Sequence, residues 1–301
     1  MNKTFFPEIN LETTLLGGQS FSWIKKDDFY IGSTINCIVK LKKEGLFLIW
    51  QTYPEKDDFD FIRNYFYMDF NYTNMICNIF KDAFIKKAIK KYYGLRVLNQ
   101  GFTETLMSFL LSSHKGIKAI RKNIEQLRFK FGKKVTVDDC DYYLFPEPEK
   151  IASTQVSDLL DCGTGFRARY LKEASKLLVD SQPKEYILHA GEDEARKELI
   201  KITGTGEKIA DCILAFGAKM GTVTPLDVWG KRFCVQYYNL PEKTDYKGMR
   251  SWLNEYFGQY TSWAGQFLFE YIRNTGKPFI NEDHRYMRIN KMKCSLLNYQ
   301  V

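Results

Sequence analysis

Apolar residues change their spacing once along the chain, and that change decides the fold class. Between Gln19 and Thr52 the segments QSFSWIKK, DFYIGST, INCIVKLKK and GLFLIWQT are short and rich in β-branched and aromatic residues. Turn signals such as Lys26-Asp27-Asp28 and Glu44-Gly45 separate them. Ile38, Lys40 and Lys42 share one parity and Cys37, Val39 and Leu41 the other, the near-alternation of an antiparallel meander. After Asp57 the spacing turns helical: Phe61, Tyr65 and Met68, then Ile76, Phe80, Phe84 and Ile89. From Phe102 onward LMSFLLSSH, IKAIRKNIEQLRFKF, RARYLKEASKLLVD, EARKELIKI, EKIADCILAFGA and the stretch from Trp252 to Arg273 all read as helices. Gly101, Gly132, Phe145-Pro146-Glu147-Pro148, Gly163-Thr164-Gly165, Gly204, Gly221 and Pro225 punctuate them. The expected class is α+β: an N-terminal antiparallel β-sheet domain over residues 1–98, then an all-α domain over residues 99–301.

A chain of 301 residues accommodates two such domains. Lys plus Arg total 44 against 36 for Asp plus Glu, and the net charge of +8 suits an anionic partner without naming one. Cations gather at Lys81, Lys86, Lys87, Lys90, Lys91 and Arg96, opposed by Asp82. They gather again in Lys115–Lys134, where eight cations face only Glu125. No apolar run reaches the ~18 residues of a membrane helix; the best, around Leu106–Leu111, is broken by Ser108. The opening MNKTFFPEINLETT carries Glu8 and Glu12 and no continuous apolar core, so secretion is not expected. Seven cysteines (Cys37, Cys77, Cys140, Cys162, Cys212, Cys234 and Cys294) are scattered without a CxxC pair. That pattern argues against a zinc ribbon, an iron–sulfur cluster or a disulfide framework, and a reducing cytoplasm is the expected setting.

The most specific stretch is Leu199–Lys231, LIKITGTGEKIADCILAFGAKMGTVTPLDVWGK. An apolar helix end runs into Gly204-Thr205-Gly206, and a second helix opens at Glu207-Lys208. Glycines admit left-handed or crowded backbone. Exposed amides at the second helix can then hold a phosphate without reading sequence. Lys208 sits on the first turn, against the dipole preference. It is either a solvated lysine at small cost or an amine whose charged form is disfavoured, hence a nucleophile. Asp227 follows Pro225-Leu226 and precedes Val228-Trp229, the place of a helix N-cap. A cap carboxylate can also stabilise a developing cation.

The hairpin, its lysine, the Gly/Pro-containing loop and the aspartate resemble the helix-hairpin-helix DNA glycosylase superfamily. Other blocks narrow the resemblance to 8-oxoguanine DNA glycosylases. Gly18-Gln19-Ser20-Phe21-Ser22-Trp23 is similar to their GQSFRW signature, and Ser108-Phe109-Leu110-Leu111-Ser112-Ser113 to their SFICSS helix. Phe145-Pro146 with Gly163-Thr164-Gly165-Phe166-Arg167-Ala168-Arg169-Tyr170 is similar to FP…GLGYRARY. The blocks stand in family order over about residues 8–275.

The resemblance implies a helix-hairpin-helix catalytic domain that excises 8-oxoguanine and then cleaves the abasic site. Lys208 matches the nucleophile that attacks C1′, and Asp227 the carboxylate that supports the cationic sugar. Gly18 matches the glycine whose carbonyl accepts from N7–H, which 8-oxoguanine has and guanine lacks. Cys212, four residues from Lys208 and on the same helical face, matches the cysteine packed on the base. Phe269 matches the aromatic on the opposite face. Phe166 and Arg167 fit a wedge and a reader of the orphaned cytosine, and Gly204 and Gly206 the phosphate-binding hairpin. The implied partner is damaged duplex DNA, met by a monomer with no membrane association, at the nucleoid in a bacterium. No organic cofactor or catalytic metal is implied, although a structural monovalent or divalent cation could sit on the hairpin carbonyls.

Some positions depart from the pattern. His114 stands where an Asn is usual, and Ala119 where a second Arg reads the opposite cytosine, so a weaker preference for C is expected. Trp229 replaces a His, with an indole N–H that could donate to a phosphate. WAQAVLF in the pattern is WAGQFLF here. Gly265 therefore falls on the Gln that reads the base's Watson–Crick edge, with Gln266 one place along, ~100° round the helix. Two rival readings remain open. A glycosylase for other damaged purines usually lacks the lysine, and a non-catalytic duplex-binding protein would not need Lys208, Asp227 and Cys212 together.

Overall fold

The computed structural model describes residues 1–54, 58–181 and 183–275. Cys294 and the tail from Phe279 lie outside the described residues. Five antiparallel strands, β1 (Asn2–Phe5), β2 (Trp23–Lys26), β3 (Phe29–Ser33), β4 (Ile38–Glu44) and β5 (Phe47–Tyr53), make one sheet in the order β1-β5-β4-β3-β2. The meander β2 to β5 is the one expected. β1 is an addition that pairs with Phe47–Trp50 at the far edge, and its four residues are too short to show a period.

β4 keeps its alternation. Val39 and Leu41, with Leu48 and Trp50 of β5, pack on Leu11, Leu15, Ile62 and Phe66. Ile38 points the other way and joins Ile31. That second face is covered by a hairpin inside the otherwise helical half, β6 (Lys134–Val137) and β7 (Cys140–Tyr143), whose Val137 clusters with Leu144 against Ile31 and Ile38. The helical half is thus not purely α. Its hairpin turns at Asp138 and Asp139, both at positive φ (46° and 60°), as a two-residue turn matched to strand twist requires.

The helices Ile117–Phe131 and Arg167–Asp180 cover the expected residues, and Glu192–Ile200 and Glu207–Gly217 fall close to theirs. The Trp252–Arg273 stretch is instead two helices, Tyr246–Phe257 and Thr261–Thr275, parted by a 3-10 turn at Gly258–Tyr260 where Gly258 has φ 61°. Tyr72, Met75 and Ile79 on one helix (Tyr72–Ile79), and Ile85 and Ile89 on the next (Ala83–Lys91), share one core with the later helices. Arg96, which the sequence placed in a basic run, is buried. Its guanidinium lies 4.5 Å from the ring centroids of both Phe6 and Tyr72 and donates to the carbonyls of Glu8 (2.9 Å) and Tyr67 (3.1 Å). Among the described residues, no helix is long and apolar enough to cross a membrane.

Candidate active site

Helices Glu192–Ile200 and Glu207–Gly217 form the hairpin, closed by Thr205 N–H donating to Ile202 O at 2.9 Å. Gly204 has φ 88°, and a Cβ there would lie 2.4 Å from the Tyr170 ring. Gly206 departs from expectation: its backbone is extended and nothing approaches its Cβ position within 4 Å. It leaves the N-terminus of the following helix uncovered, where amides can receive an anion.

Ile209, Cys212 and Ile213 of that helix are buried in the core, and the half-buried Lys208 lies one turn before Cys212 on the same side. Lys208 Nζ donates to Ser112 Oγ at 3.2 Å and lies 5.3 Å from the Phe109 ring centroid. Neither residue was singled out from the sequence, although both lie in the SFLLSS block. Burial pushes the Cys212 thiol up to about 12, with Lys208 partly opposing and the Asp211 and Asp227 carboxylates adding to it. The side chain therefore remains a thiol at neutral pH.

Asp227 is the N-cap of Val228–Gln236, and its Oδ1 accepts from the backbone N–H of both Trp229 and Gly230 at 2.9 Å. Trp229 turns its ring towards Arg232, 4.8 Å away, and does not line the cavity. Lys208, Asp227, Cys212, Gly18, Phe269 and Gln266 line one cavity with Phe109, Phe216, Thr224, Pro225, Ser262 and Gly265.

Gly18 enters the cavity wall at φ 90°. Gln19 fixes it from one side. Its amide donates to Thr14 O (3.0 Å) and Arg96 O (2.7 Å) and accepts from Leu98 N–H (2.8 Å), which explains a buried glutamine in the GQSF block. From the other side Gly17 lies against the Glu270 carboxylate, which Arg273 and Asn274 hydrogen-bond.

The residues expected to distort DNA converge at a second place. His114 is exposed at φ 52° in the turn after the Phe102–Leu110 helix. Lys115 Nζ in that turn donates to Gly163 O at 2.7 Å. Arg167 donates to Ser113 O and to Thr164 O (3.3 Å), so its guanidinium is buried and tied to the turn rather than presented to solvent. It stacks at 4.2 Å under Phe166, which is 55% exposed. The basic stretch around it is also partly structural. Arg121 donates to Leu16 O, Arg128 to Tyr143 O, and Lys130 and Lys134 pair with Asp161 and Asp141. Lys118, Lys122 and Lys133 are exposed.

The chain belongs to the HhH-GPD superfamily of base excision DNA repair proteins, whose family model matches residues 107–259, preceded by an 8-oxoguanine DNA glycosylase N-terminal domain matched over residues 5–106. It is similar to the N-glycosylase/DNA lyase of Saccharomyces cerevisiae, 27% identical over 278 residues, covering 82% of this chain and 73% of that protein. The 8-oxoguanine glycosylase/lyase of Clostridium acetobutylicum, solved with double-stranded DNA containing cytosine opposite to 8-oxoG, superposes with a TM-score of 0.84 at 29% identity, covering 89% of this chain and 93% of that one. MBOgg1, solved with a low affinity DNA ligand, gives a TM-score of 0.86 at 30% identity, covering 92% and 100%.

Proposed function

We propose that this protein excises 8-oxoguanine from duplex DNA and then cleaves the abasic strand, with Lys208 as the nucleophile. What carries this reading is convergence: Gly18, Lys208, Cys212, Asp227 and Phe269, distant in sequence, line the same cavity. The damaged nucleotide must leave the base stack to enter it. The ring of Phe269 and the un-ionised thiol of Cys212 offer apolar surfaces to the base. The Gly18 carbonyl accepts from N7–H. Undamaged guanine would set a bare N7 lone pair against that oxygen, leaving both unsatisfied.

The neutral Lys208 amine attacks C1′ with its lone pair while the C1′–N9 bond breaks; the base leaves with that bond's electron pair and takes up the proton that the lysine nitrogen sheds on bonding to C1′. Asp227 faces the positive charge that develops on the sugar. Ring opening converts the resulting amine to an imine, which acidifies the 2′ proton. Loss of that proton expels the 3′ phosphate and completes β-elimination. The uncovered helix start after Gly206, with exposed Lys118 and Lys122, suits backbone phosphates. The reaction as written draws on no cofactor.

Borohydride reduction of the imine is the test. Duplex DNA containing 8-oxoguanine should give a covalent adduct with the wild type and none with Lys208→Gln. An adduct surviving in the variant moves the nucleophile elsewhere. Trapping at a preformed abasic site without release of 8-oxoguanine assigns the enzyme to other lesions.

A further inference from the structure

A buried ionic network joins the elements that carry the reacting groups. Asp211 stands one turn after Lys208 on the Glu207–Gly217 helix and is fully buried. A charge so placed is costly unless it is paired and hydrogen-bonded. Arg196, on the first helix of the hairpin, donates through Nε to Asp211 Oδ1 at 2.7 Å. Its two other nitrogens donate to Asp193 Oδ1 (2.8 Å) and Glu192 Oε1 (2.6 Å). Arg250 Nη1 lies 3.5 Å from Asp211 Oδ2. Tyr246, the first residue of the Tyr246–Phe257 helix, donates its hydroxyl proton to the same Oδ2 at 2.8 Å.

The Tyr246 hydroxyl oxygen also accepts from Leu226 N–H at 3.1 Å. Leu226 immediately precedes Asp227, in the loop between the Glu207–Gly217 and Val228–Gln236 helices. Earlier in that loop Thr222 Oγ1 donates to Glu192 Oε2 at 2.7 Å, and Arg196 holds the other oxygen of that carboxylate. Both tethers thus end on one network, and Thr224 and Pro225 between them line the cavity with Asp227. We infer that Tyr246 is a positioning residue whose hydroxyl sets Asp227 at its working distance from Lys208, with Thr222 as a second tether of the loop. The inference rests on the roles proposed above for Lys208 and Asp227. A loop yields more readily than a packed helix, so losing a tether displaces Asp227 rather than Lys208. A carboxylate stabilises developing charge only from the place where it is held, and a small misplacement is costly in rate. Phenylalanine would fill the space of Tyr246 and supply neither hydrogen bond.

Single-turnover release of 8-oxoguanine from duplex DNA by the full chain tests this, with each substitution made alone and together with Asp227→Asn. That variant removes the charge and keeps the helix cap. Tyr246→Phe should release the base roughly tenfold more slowly than the wild type. In the Asp227→Asn background the same change should alter the rate by less than about twofold, since no charge is left to misplace. Thr222→Val should cost roughly threefold in the wild type and nothing measurable in that background. Thermal melts of every variant fix an assay temperature below its transition, so that lost rate is not unfolded protein. A Tyr246→Phe loss of equal size in both backgrounds makes the hydroxyl merely structural and overturns the inference, as does a wild-type rate. If Tyr246→Phe does not fold, Thr222→Val decides: a wild-type rate, or an equal loss in both backgrounds, overturns it. Asp227→Asn as fast as the wild type overturns the role given to Asp227, and a wild type that releases no 8-oxoguanine overturns the excision reading; the positioning role falls with either.

Discussion

Lys208 Nζ donates to Ser112 Oγ at 3.2 Å, while Ser112 Oγ donates onward to Phe109 O at 2.7 Å. The hydroxyl proton is committed, so the oxygen can only accept from the lysine. It orients the amine between the Glu207–Gly217 helix and the turn that follows the Phe102–Leu110 helix. Ser112→Ala should lower the single-turnover rate by roughly tenfold while the borohydride adduct still forms. A rate equal to wild type would make the serine a bystander.

Asp227 carries two roles that substitution can separate. Its Oδ1 caps the helix through Trp229 N–H and Gly230 N–H, and asparagine caps about as well. Asp227→Asn should therefore change stability by less than ~0.5 kcal/mol. Its excision rate should fall by ~10²–10³, because the amide carries no charge to oppose the cationic sugar. Asp227→Ala should lose the same activity and ~1 kcal/mol of stability. Thermal melts beside single-turnover rates separate the two effects.

The alternation of Cys37, Val39 and Leu41 and the helical spacing of Ile117–Phe131 made most of the architecture legible in the sequence, because burial of one face leaves a period. β6 and β7 escaped because each has only four residues, and their packing partners Ile31 and Ile38 lie about a hundred residues earlier. Arg96 was misplaced for a related reason: a charged residue in a basic run carries no local sign of the two rings that enclose it. At the site, Lys208, Asp227 and Cys212 were legible from spacing and resemblance. Ser112 was not, since a serine's use depends on what stands opposite it. The two hairpin glycines look alike in sequence and differ in structure.

That difference is measurable. Gly204→Ala places a Cβ against Tyr170 at a positive φ and should cost ~2 kcal/mol or more in thermal or denaturant unfolding. Gly206→Ala, in extended backbone with open space around it, should be nearly neutral for folding. Equal destabilisation by both would contradict the assignment.

Arg167 is tied to Ser113 O and Thr164 O, and Ala119 stands exposed where a second arginine would reach the opposite base. Excision rates opposite C, T, G and A should consequently spread less than two bidentate arginine contacts would produce, at ~1–3 kcal/mol each. Ala119→Arg should widen the spread in favour of C. A wild-type preference already that steep would sink the idea.

Glu104 gives the fold a pH dependence of unusual sign. It lies in the first turn of the Phe102–Leu110 helix, and its Oε1 accepts from Ile35 N–H at 2.7 Å. Burial pushes its carboxyl up to about 7, with the Ile35 N–H and Arg128 opposing. Between about pH 4.5 and 7 the folded protein therefore holds a proton that the unfolded chain has lost. Stability falls with rising pH wherever the folded state binds more protons. The contribution is present in full below pH 4.5 and is lost as pH rises through about 7. Glu104→Gln keeps an acceptor for Ile35 and removes the titration. The variant should match wild type near pH 4 and exceed it at pH 8 by ~1–3 kcal/mol in denaturant unfolding. Stability curves that stay parallel across that range would remove Glu104 as the source.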